Sequence, residues 1–262
     1  MWTPKIFDYS KINSMNINSI NIDSLINGKV PAIIIQNVYD KKMCKKIVDR
    51  LNFEKSTFLN GESNHIGPFL MSYATRRNDY FDDAKKHEKI FESVFSQLKS
   101  PTIKIREAIG DILPDYSISS AKELKKFYSC CIIRIHKKGK LIPIHKDDVK
   151  YEGIEFGVSK IDHQISCVLH LQESESGGDV IIFKKKWVKE NEKFRNIDFG
   201  YSSQLVKSTE FCKIPNLKSG DLVLINPNYY HMVTKITGNS PRITLGMFLG
   251  IFEKENSIIA WA

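Results

Sequence analysis

The sequence predicts an α+β protein in which helices come first and a β-sandwich or barrel follows. Three observations support this class. Helical patterns of apolar residues occupy the first half of the chain, short β-branched runs separated by turn residues follow from residue 127, and the strands do not alternate with helices. The chain has 262 residues, 42% of them hydrophobic, which is enough for one substantial core. We therefore expect a single domain over residues 1–262.

The helical half begins with one strand. The run at 31–38, PAIIIQNV, is short, apolar and rich in β-branched residues, and Asp40 then opens a helical pattern. A second helix is predicted from about Asp82 to Leu98, with acidic residues at its positive end. Pro101 begins a third helix, because proline is tolerated in the first helical turn.

The β-rich half, residues 127–262, is expected to form the core. Its predicted strands lie in SCCIIRIH, LIPIH, QISCVLHL, DVIIF, DLVLINP and RITLGMFLGIF, and turn residues separate these runs. Residues 31–126 are expected to supply the strand and helices that support this core. Residues 1–30 are biased towards Asn, Ile and Ser, and we assign them no function.

The net charge of +9 and the pI near 9.1 raise the question of a nucleic-acid partner. The lysines are scattered, with short clusters at 137–140 and 184–186, so solvated surface charge is the favoured interpretation. The sequence also lacks the glycine-rich motifs of dinucleotide-binding and P-loop proteins. Nucleic acid is therefore not an expected partner, and a nucleotide-binding enzyme is disfavoured.

The N-terminal sequence and the cysteines predict a cytoplasmic protein with no membrane partner. MWTPKIFDYSKINS has no basic segment followed by an apolar one, and no stretch reaches 18 apolar residues. The five cysteines form no C-x-x-C pair, so we expect reduced and mostly buried thiols. These features do not predict the oligomeric state.

A metal site is predicted at the end of the run LIPIHKDD. His145 and Asp147 are two residues apart, so alternation along a strand places both side chains on one face. His231, on another predicted strand, supplies a third ligand, with His170 as the alternative. Two histidines and one carboxylate form the facial triad of non-haem iron(II) oxygenases. An H-x-D sequence alone is weak evidence, and Asp148 is the alternative acid.

A buried cation is predicted beyond His231. Arg242 lies in the apolar run RITLGMFLGIF, where a long cation is unfavourable unless it is paired. Arg242 and Thr244 alternate onto one face, so the guanidinium and the hydroxyl together can bind a carboxylate. The alternative is an arginine at a strand end that reaches water or a structural acid.

The order His145-x-Asp147, His231 and Arg242-x-Thr244 resembles the motif set of the iron(II)/2-oxoglutarate oxygenase superfamily. The chain is most similar to the stand-alone aliphatic halogenases and hydroxylases of hapalindole-type alkaloid pathways, through GDLVLINPNYYHMVTKITGNSPRITLGMFLG and the terminal IIAWA. This resemblance implies a double-stranded β-helix core, of the jelly-roll or cupin-like type, with the N-terminal helices packed against it. It also implies Fe(II), 2-oxoglutarate and O2 as cofactors, and it favours His231 as the distal ligand because Arg242 follows it.

One departure from the halogenating members determines the predicted reaction. Those members have a small residue, usually glycine, at the position of Asp147, and chloride enters the place left free on the iron. A carboxylate ligand fills that place, so we predict a dioxygenase that hydroxylates rather than halogenates. The expected substrate is a small molecule, an amino acid or natural-product intermediate with an unactivated C–H bond, and 2-oxoglutarate is decarboxylated to succinate.

The resemblance also suggests residues for cosubstrate and substrate binding. Arg134 precedes His145 by eleven residues, as an arginine does in those relatives, and is a second candidate cosubstrate anchor. Substrate binding and a structural role are the alternatives for Arg134. The candidate substrate contacts are Leu70, Met71, Tyr73, Arg77 and Trp187. For each of these, core packing or ordinary surface charge is the alternative.

Two rival functions remain open from the sequence. The first is a nucleic-acid demethylase of the same superfamily, which the positive charge favours. Such enzymes typically carry a second arginine six residues after the first, whereas this chain has Phe248 there. The second is a metal-free β-sandwich binding module in which the histidines are structural.

Overall fold

The structure is a computed structural model that describes residues 2–14, 21–53, 64–197 and 200–262. The strands are β1 (Lys5–Asp8), β2 (Ile33–Gln36), β3 (His65–Ile66), β4 (Ser117–Ser120), β5 (Lys122–Glu123), β6 (Lys126–Phe127), β7 (Ile132–His136), β8 (Ile142–His145), β9 (His163–Gln172), β10 (Val180–Lys186), β11 (Arg195–Ile197), β12 (Gly200–Tyr201), β13 (Phe211–Lys213), β14 (Leu222–Ile225), β15 (Tyr229–Val233), β16 (Arg242–Phe252) and β17 (Ser257–Trp261). The α-helices are α1 (Ile22–Ile26), α2 (Lys41–Phe53), α3 (Arg77–Val94), α4 (Pro101–Ile112) and α5 (Val149–Glu152). Short 3-10 helices lie at Tyr9–Ser14, Leu70–Tyr73, Gly157–Lys160, Lys189–Phe194 and Ser203–Val206. The predicted α+β class is confirmed.

Two sheets dominate the part of the chain that the structure describes. The major sheet has the order β1-β2-β14-β9-β16, and β16 then pairs with β7 along its first half and with β17 along its second. β3 extends this sheet beyond β7, and β4 extends it beyond β17. The minor sheet has the order β13-β10-β15-β8. From β7 to β10, and again from β13 to β16, successive strands alternate between the two sheets.

The major sheet is covered on both faces. Helices α2, α3 and α4 pack on one face through an apolar cluster that includes Ile47, Phe91 and Ile105. The minor sheet packs on the other face, where Ile182 contacts the cluster that contains Val223. The helices thus lie on the outer face of the major sheet, and the space between the two sheets contains no helix from this layer.

Strand β16 shows how alternation divides side chains between these two layers. Ile243 and Leu245 belong to the cluster that faces the helices. Because successive side chains point to opposite faces of a strand, Arg242 and Thr244 face the minor sheet. Both polar residues are buried, at 3% and 2% exposure. A largely apolar strand thus delivers a cation and a hydroxyl to the space between the sheets.

Two of the three predicted helices begin where the sequence indicates. The carboxylate of Asp40 accepts the backbone N–H groups of Lys42 and Met43 and so caps the start of α2. α4 begins with Pro101 in its first turn.

The helix predicted from Asp82 to Leu98 is wrong at both ends, because α3 spans Arg77–Val94. Phe95 is its C-cap, and Gln97 has a φ of 57°, in the left-handed region. An α-helix does not continue through such a residue, so the apolar pattern that reaches Leu98 overstates its length.

Part of the N-terminal segment belongs to the major sheet, which its composition did not predict. β1 pairs in parallel with β2. Trp2 is buried and donates its indole N–H to the carbonyl of Gly28 at 2.9 Å. Residues 15–20 of this segment lie outside the described residues.

The cysteines match the prediction of reduced, mostly buried thiols. All five are free, and only Cys130 is partly exposed. Burial raises the pKa of Cys167 in the centre of β9, so this thiol stays protonated and behaves as an apolar side chain. Among the described helices, none combines the length and the apolar character that crossing a bilayer requires.

We predict that Leu245→Ala lowers the free energy of unfolding by about 2–5 kcal/mol, because it leaves a cavity between β16 and the helices. Leu245 is 0% exposed. The control is Leu124→Ala, at a leucine that is 91% exposed, where the change should stay within about 0.5 kcal/mol. Denaturant titration of both variants measures the difference. An equal loss of unfolding free energy in the two variants would show that β16 does not anchor the helical layer.

Candidate active site

Three predicted metal ligands converge at one end of the space between the sheets. His145, Asp147 and His231 each offer one ligand atom, and these atoms all lie within 4.8 Å of one another. Nε2 of His145 lies 4.0 Å from Oδ2 of Asp147, and Nε2 of His231 lies 3.7 Å from the same oxygen. These distances are too long for hydrogen bonds, so the carboxylate does not occupy the histidine lone pairs.

Backbone pairing sets the orientation of both imidazoles. His145 of β8 and His231 of β15 are direct partners in the minor sheet, with ring centroids 4.1 Å apart. Nδ1 of His145 donates to the carbonyl of Pro143, and Nδ1 of His231 donates to that of Tyr229, both at 2.9 Å. A proton fixed on each Nδ1 leaves each Nε2 as the free ligand atom.

The electrostatics also favour a neutral His231. Burial, and then the neighbouring His145, lower the pKa of His231 to about 4. A neutral imidazole is the form that binds a metal ion.

The neighbouring Asp148 does not compete with Asp147. Asp147 is held by its backbone N–H, which donates to the carbonyl of Pro227 at 3.0 Å. Asp148 instead caps α5, and its carboxylate accepts the backbone N–H of Lys150 at 3.0 Å. The alternative His170 also lies outside the metal-binding group found among the described residues.

The donor set fits an iron(II) ion. Two neutral imidazoles and one carboxylate, arranged on one side of a common centre, are the ligands that non-haem iron(II) oxygenases use. The two Nε2 atoms and Oδ2 converge without hydrogen bonds between them. An ion bound there keeps coordination positions free for other ligands.

Arg242 lies in the inter-sheet space without a protein partner among the described residues. Its side chain forms no hydrogen bond and no ion pair there, and its buried Nε atom is unsatisfied. Burial lowers the pKa of Arg242, and the charge of Glu173 acts in the opposite direction. A buried guanidinium is costly unless an anion neutralises it, so this arrangement is suited to an anionic ligand.

Arg134 is the second cation of the same face, and it is partly buried. It lies on β7 directly opposite Thr244 of β16, and its guanidinium is 5.4 Å from the ring centroid of Phe69. A Cβ atom at Gly246 would lie 2.7 Å from Nη1 of Arg134. The absence of a side chain at position 246 therefore makes room for the guanidinium. Burial lowers the pKa of Arg134, opposed by the charge of Asp147.

Four further polar residues lie on this face, and of these only His170 was a candidate from the sequence, as an alternative metal ligand. Three of them carry buried ring or amide nitrogens without a hydrogen-bond partner in the described structure, and the fourth is hydrogen-bonded to one of these three. They are His136, Gln164, His170 and Glu173. The signal was present, because His136 alternates with Ile135 and His170 with Leu169 along apolar strands. Polar residues at every second position indicate a polar inner face.

Three of the predicted substrate residues lie in one aromatic cluster at the edge of the inter-sheet space. Leu70 is fully buried, and Met71 and Tyr73 pack against the same cluster as Phe248 and Trp261. The hydroxyl of Tyr73 donates to Asp83 at 2.5 Å.

Arg77 has a protein partner, which leaves less reason to expect a substrate carboxylate there. Its guanidinium binds the carboxylate of Glu123 and lies 5.5 Å from the ring centroid of Phe81. Glu123 also accepts the hydroxyl of Tyr128 at 2.6 Å. The predicted role of Arg77 in substrate binding stays a prediction.

Trp187 belongs to a polar network that begins in the turn after β8. Lys146 lies between His145 and Asp147 in sequence, and its side chain is 0% exposed. The ammonium is 3.1 Å from Glu152 and 4.4 Å from the ring centroid of Trp187. Arg195 binds Glu152 at 2.9 Å. This network joins the turn after β8 to the segment that follows β10.

The class of protein follows from the family to which nearly the whole chain is similar. The family described as "Carrier-protein-independent halogenase WelO5" matches residues 7–262. The chain belongs to this family. It is a family of iron(II)/2-oxoglutarate oxygenases, so the protein is an oxygenase that uses Fe(II) and 2-oxoglutarate, as predicted. The alternative of a metal-free binding module is thereby excluded.

Individual relatives are more distant. The L-gamma-glutamyl-L-propargylglycine hydroxylase of Streptantibioticus cattleyicolor is 27% identical over 121 residues, which are 45% of this chain and 44% of that protein. The chain thus matches less than half the length of this relative. An N-substituted L-amino acid dioxygenase from Burkholderia ambifaria has a similar fold, with a TM-score of 0.62 at 14% identity over 92% of this chain and 90% of that one. Its complex with alpha-KG gives a TM-score of 0.63 at 15% identity, over 95% and 92% of the two chains.

Replacing the two neighbouring acids should have different effects. We expect Asp147→Ala to weaken binding of Mn(II) by more than about 100-fold, because even residues outside the ligand set typically contribute about 10–100-fold. We expect Asp148→Ala to bind the metal normally and to lose about 0.5–2 kcal/mol of stability with its helix cap. Metal titration and thermal unfolding of both variants separate the two roles. Loss of the metal in Asp148→Ala alone would transfer the ligand role to Asp148.

Proposed function

We propose that the protein hydroxylates an unactivated C–H bond of a small molecule, with His145, Asp147 and His231 as the iron ligands. The observation that carries this proposal is the position of Asp147. Its carboxylate oxygen lies within 4.0 Å of both histidine Nε2 atoms, so with them it would coordinate a bound iron, in the place that a halide takes in a halogenase. When bound, iron(II) with 2-oxoglutarate and O2 supplies the oxidising power, and 2-oxoglutarate is converted to succinate and carbon dioxide.

We infer that the core is the double-stranded β-helix that the sequence resemblance implies. Eight strands, from β7 to β10 and from β13 to β16, form two four-stranded layers through which the chain alternates. This is the architecture of a jelly roll, in which the two layers enclose a site between them. The metal ligands come from the minor layer and its adjoining turn, and Arg242 comes from the major layer.

The charges of the buried site support a dianionic cosubstrate. Burial, together with Arg242 and Arg134, lowers the pKa of His136 to about 4, so this histidine is neutral like His231. With iron(II) bound, the two arginines and the ion carry four positive charges, which outweigh the carboxylates of Asp147 and Glu173. 2-Oxoglutarate carries two negative charges, so this excess of positive charge favours its binding.

Arg242 and Thr244 are the proposed anchor for the distal carboxylate of 2-oxoglutarate. The guanidinium offers two parallel N–H donors, which match the two oxygens of a carboxylate. Arg134, opposite Thr244, is the proposed second anchor on the same face. These residues orient the cosubstrate, and the enclosed space between the sheets excludes water from the reaction.

A halogenase is the second candidate function, because the matching family is described as one. The two reactions require different iron environments. A halogenase leaves a coordination place for chloride, whereas the carboxylate of Asp147 fills it here. A nucleic-acid demethylase receives less support, since Phe248 packs in the aromatic cluster with Trp261, with ring centroids 5.8 Å apart.

The proposed substrate class is an amino acid or a small derivative of one. The matched hydroxylase is named for a γ-glutamyl amino acid, which motivates a focused screen. Free and γ-glutamyl L-amino acids are tested with Fe(II), 2-oxoglutarate and O2, and succinate release above the uncoupled background identifies a substrate. The aromatic cluster around Leu70 and Met71 is the proposed wall for its apolar part.

Arg242→Ala should retain the metal but bind 2-oxoglutarate more weakly by about 2–5 kcal/mol, because a charge-assisted contact is lost. The anaerobic complex with Fe(II) and 2-oxoglutarate should show the weak visible charge-transfer band of a chelated keto acid, which provides the titration. The control is Arg50→Ala, at an arginine that binds the carbonyls of Val94 and Ser96 away from the site. An unchanged 2-oxoglutarate titration in Arg242→Ala would give Arg242 a structural role.

Product analysis in excess chloride distinguishes the two candidate reactions. With a substrate from the screen, we expect the wild-type protein to give only hydroxylated product by mass spectrometry. Asp147→Gly should lose most hydroxylation and give little chlorination, because transfer of chlorine also requires a substrate carbon positioned towards the halide. Asp148→Asn is the matched control and should hydroxylate normally. Chlorination by the wild-type protein would favour the halogenase.

A further inference from the structure

His170 is a buried histidine that the proposed reaction does not yet use. It lies on β9, is 0% exposed, and is the direct cross-strand neighbour of Thr244 on β16. Its neighbour in sequence, Leu169, faces the helices, so the imidazole points into the inter-sheet space. Nε2 of His170 has no hydrogen-bond partner among the described residues.

The other ring nitrogen of His170 is occupied. Nδ1 is hydrogen-bonded to the carboxylate of Glu173. Burial raises the pKa of Glu173, but His170 and Arg242 together outweigh this effect and lower the pKa below its usual value. Glu173 is therefore ionised. An ionised carboxylate accepts a hydrogen bond from the Nδ1–H group and cannot donate one. The Nδ1 proton of His170 is therefore fixed.

Because the Nδ1 proton is fixed, the protonation state of His170 decides whether Nε2 accepts or donates a hydrogen bond. In neutral His170, Nδ1 carries the proton and Nε2 presents a lone pair, which repels a carboxylate. In the imidazolium form both nitrogens donate, and Nε2 can bind a carboxylate oxygen. Burial lowers the pKa of His170, with Glu173 acting in the opposite direction, so the ligand-free protein holds the neutral form near neutral pH.

Three charged groups act directly on His170. They are Glu173 just beyond the end of β9, Arg242 on β16 and Asp221 just before β14. Arg134 and His136 lie on β7, the opposite neighbour of β16, and they interact with Arg242. A carboxylate placed between Arg242 and Thr244 adds a negative charge next to this group. That charge favours protonation of His170, since Glu173 already stabilises the imidazolium from the other side.

We propose that His170 is a third anchor for the distal carboxylate of 2-oxoglutarate, and that it takes up one proton from solvent when the dianion binds. Glu173 is a positioning residue that holds the Nδ1 side of the ring. The inference rests on the proposed function, because it takes Arg242 and Thr244 as the site of that carboxylate. It adds a proton-coupled step to cosubstrate binding.

Calorimetry on the metal-loaded protein tests this coupling without turnover. 2-Oxoglutarate is titrated into the Mn(II) protein at pH 7.5 in two buffers of different ionisation enthalpy, phosphate and Tris. The difference in observed heat gives the number of protons taken up. We expect about one proton per 2-oxoglutarate for wild type, and a Kd that rises with pH, because deprotonation of the bound-state imidazolium removes the contact.

His170→Gln should abolish the proton uptake and raise the Kd by about 10–100-fold, the range for a hydrogen bond to a charged group. Glu173→Gln keeps a hydrogen-bond acceptor for Nδ1 but removes the charge, so it should reduce the proton uptake while the fold persists. Glu173 is 29% exposed in its side chain, which makes this variant the safer one for folding. His163→Gln is the matched control on the same strand, where His163 binds Glu253 at the surface. We expect it to behave like wild type.

The outcomes separate the two proposals. If His170→Gln and Glu173→Gln both retain the wild-type Kd and proton uptake, His170 is not an anchor, although the proposed function stands. If wild-type protein shows no metal-dependent binding of 2-oxoglutarate, or if Arg242→Ala binds it normally, the proposed site itself is wrong. If His170→Gln still takes up a proton when 2-oxoglutarate binds, another group is the one that titrates, and the inference is overturned.

Discussion

The register of β16 between β7 and β9 is the constraint on which the rest of the site depends. Side chains alternate across this strand, so Ile243 and Leu245 contact the helical layer while Arg242 and Thr244 enter the inter-sheet space. A shift of one residue would exchange the two sets and bury apolar side chains in the polar space. The apolar side chains on one face of β16 thus fix the position of the polar side chains on its other face. The same hydrogen-bond ladder therefore sets both the core packing and the proposed cosubstrate site.

Alternation also explains what the sequence could predict. Two residues separated by one position on a strand share a face, and this rule placed Arg242 with Thr244. It also led to the pairing of His145 with Asp147, although β8 ends at His145 and Asp147 is held in the following turn by its hydrogen bond to Pro227. The pairing of His145 with His231 joins residues 86 positions apart, and local patterns do not specify such long-range contacts. The resemblance to the iron(II)/2-oxoglutarate oxygenases is what favoured His231 as the partner of His145. The end of α3 was missed because the positive φ of Gln97 is a property of the folded backbone.

The polar partners around the cosubstrate site were less accessible to prediction than the ligands themselves. Glu173 lies just beyond the end of β9, and only the folded structure shows that it reaches the ring of His170. The same holds for Gly246, which matters because a Cβ atom there would lie 2.7 Å from Nη1 of Arg134, and not because of a conformational preference. Sequence patterns report which face a residue occupies. They do not report which groups across that face remain unpaired.

The guanidiniums of Arg134 and Arg242 link the proposed ligand to the stability of the fold. Desolvating these cations without an anion opposes folding, and a bound carboxylate would offset this cost only in the folded state. Ligand and fold are therefore thermodynamically linked, and a ligand at 100 times its Kd adds about 2.7 kcal/mol to stability. Under the proposed function, 2-oxoglutarate would therefore act as a folding ligand as well as a cosubstrate, and the midpoint of thermal unfolding would rise with its concentration.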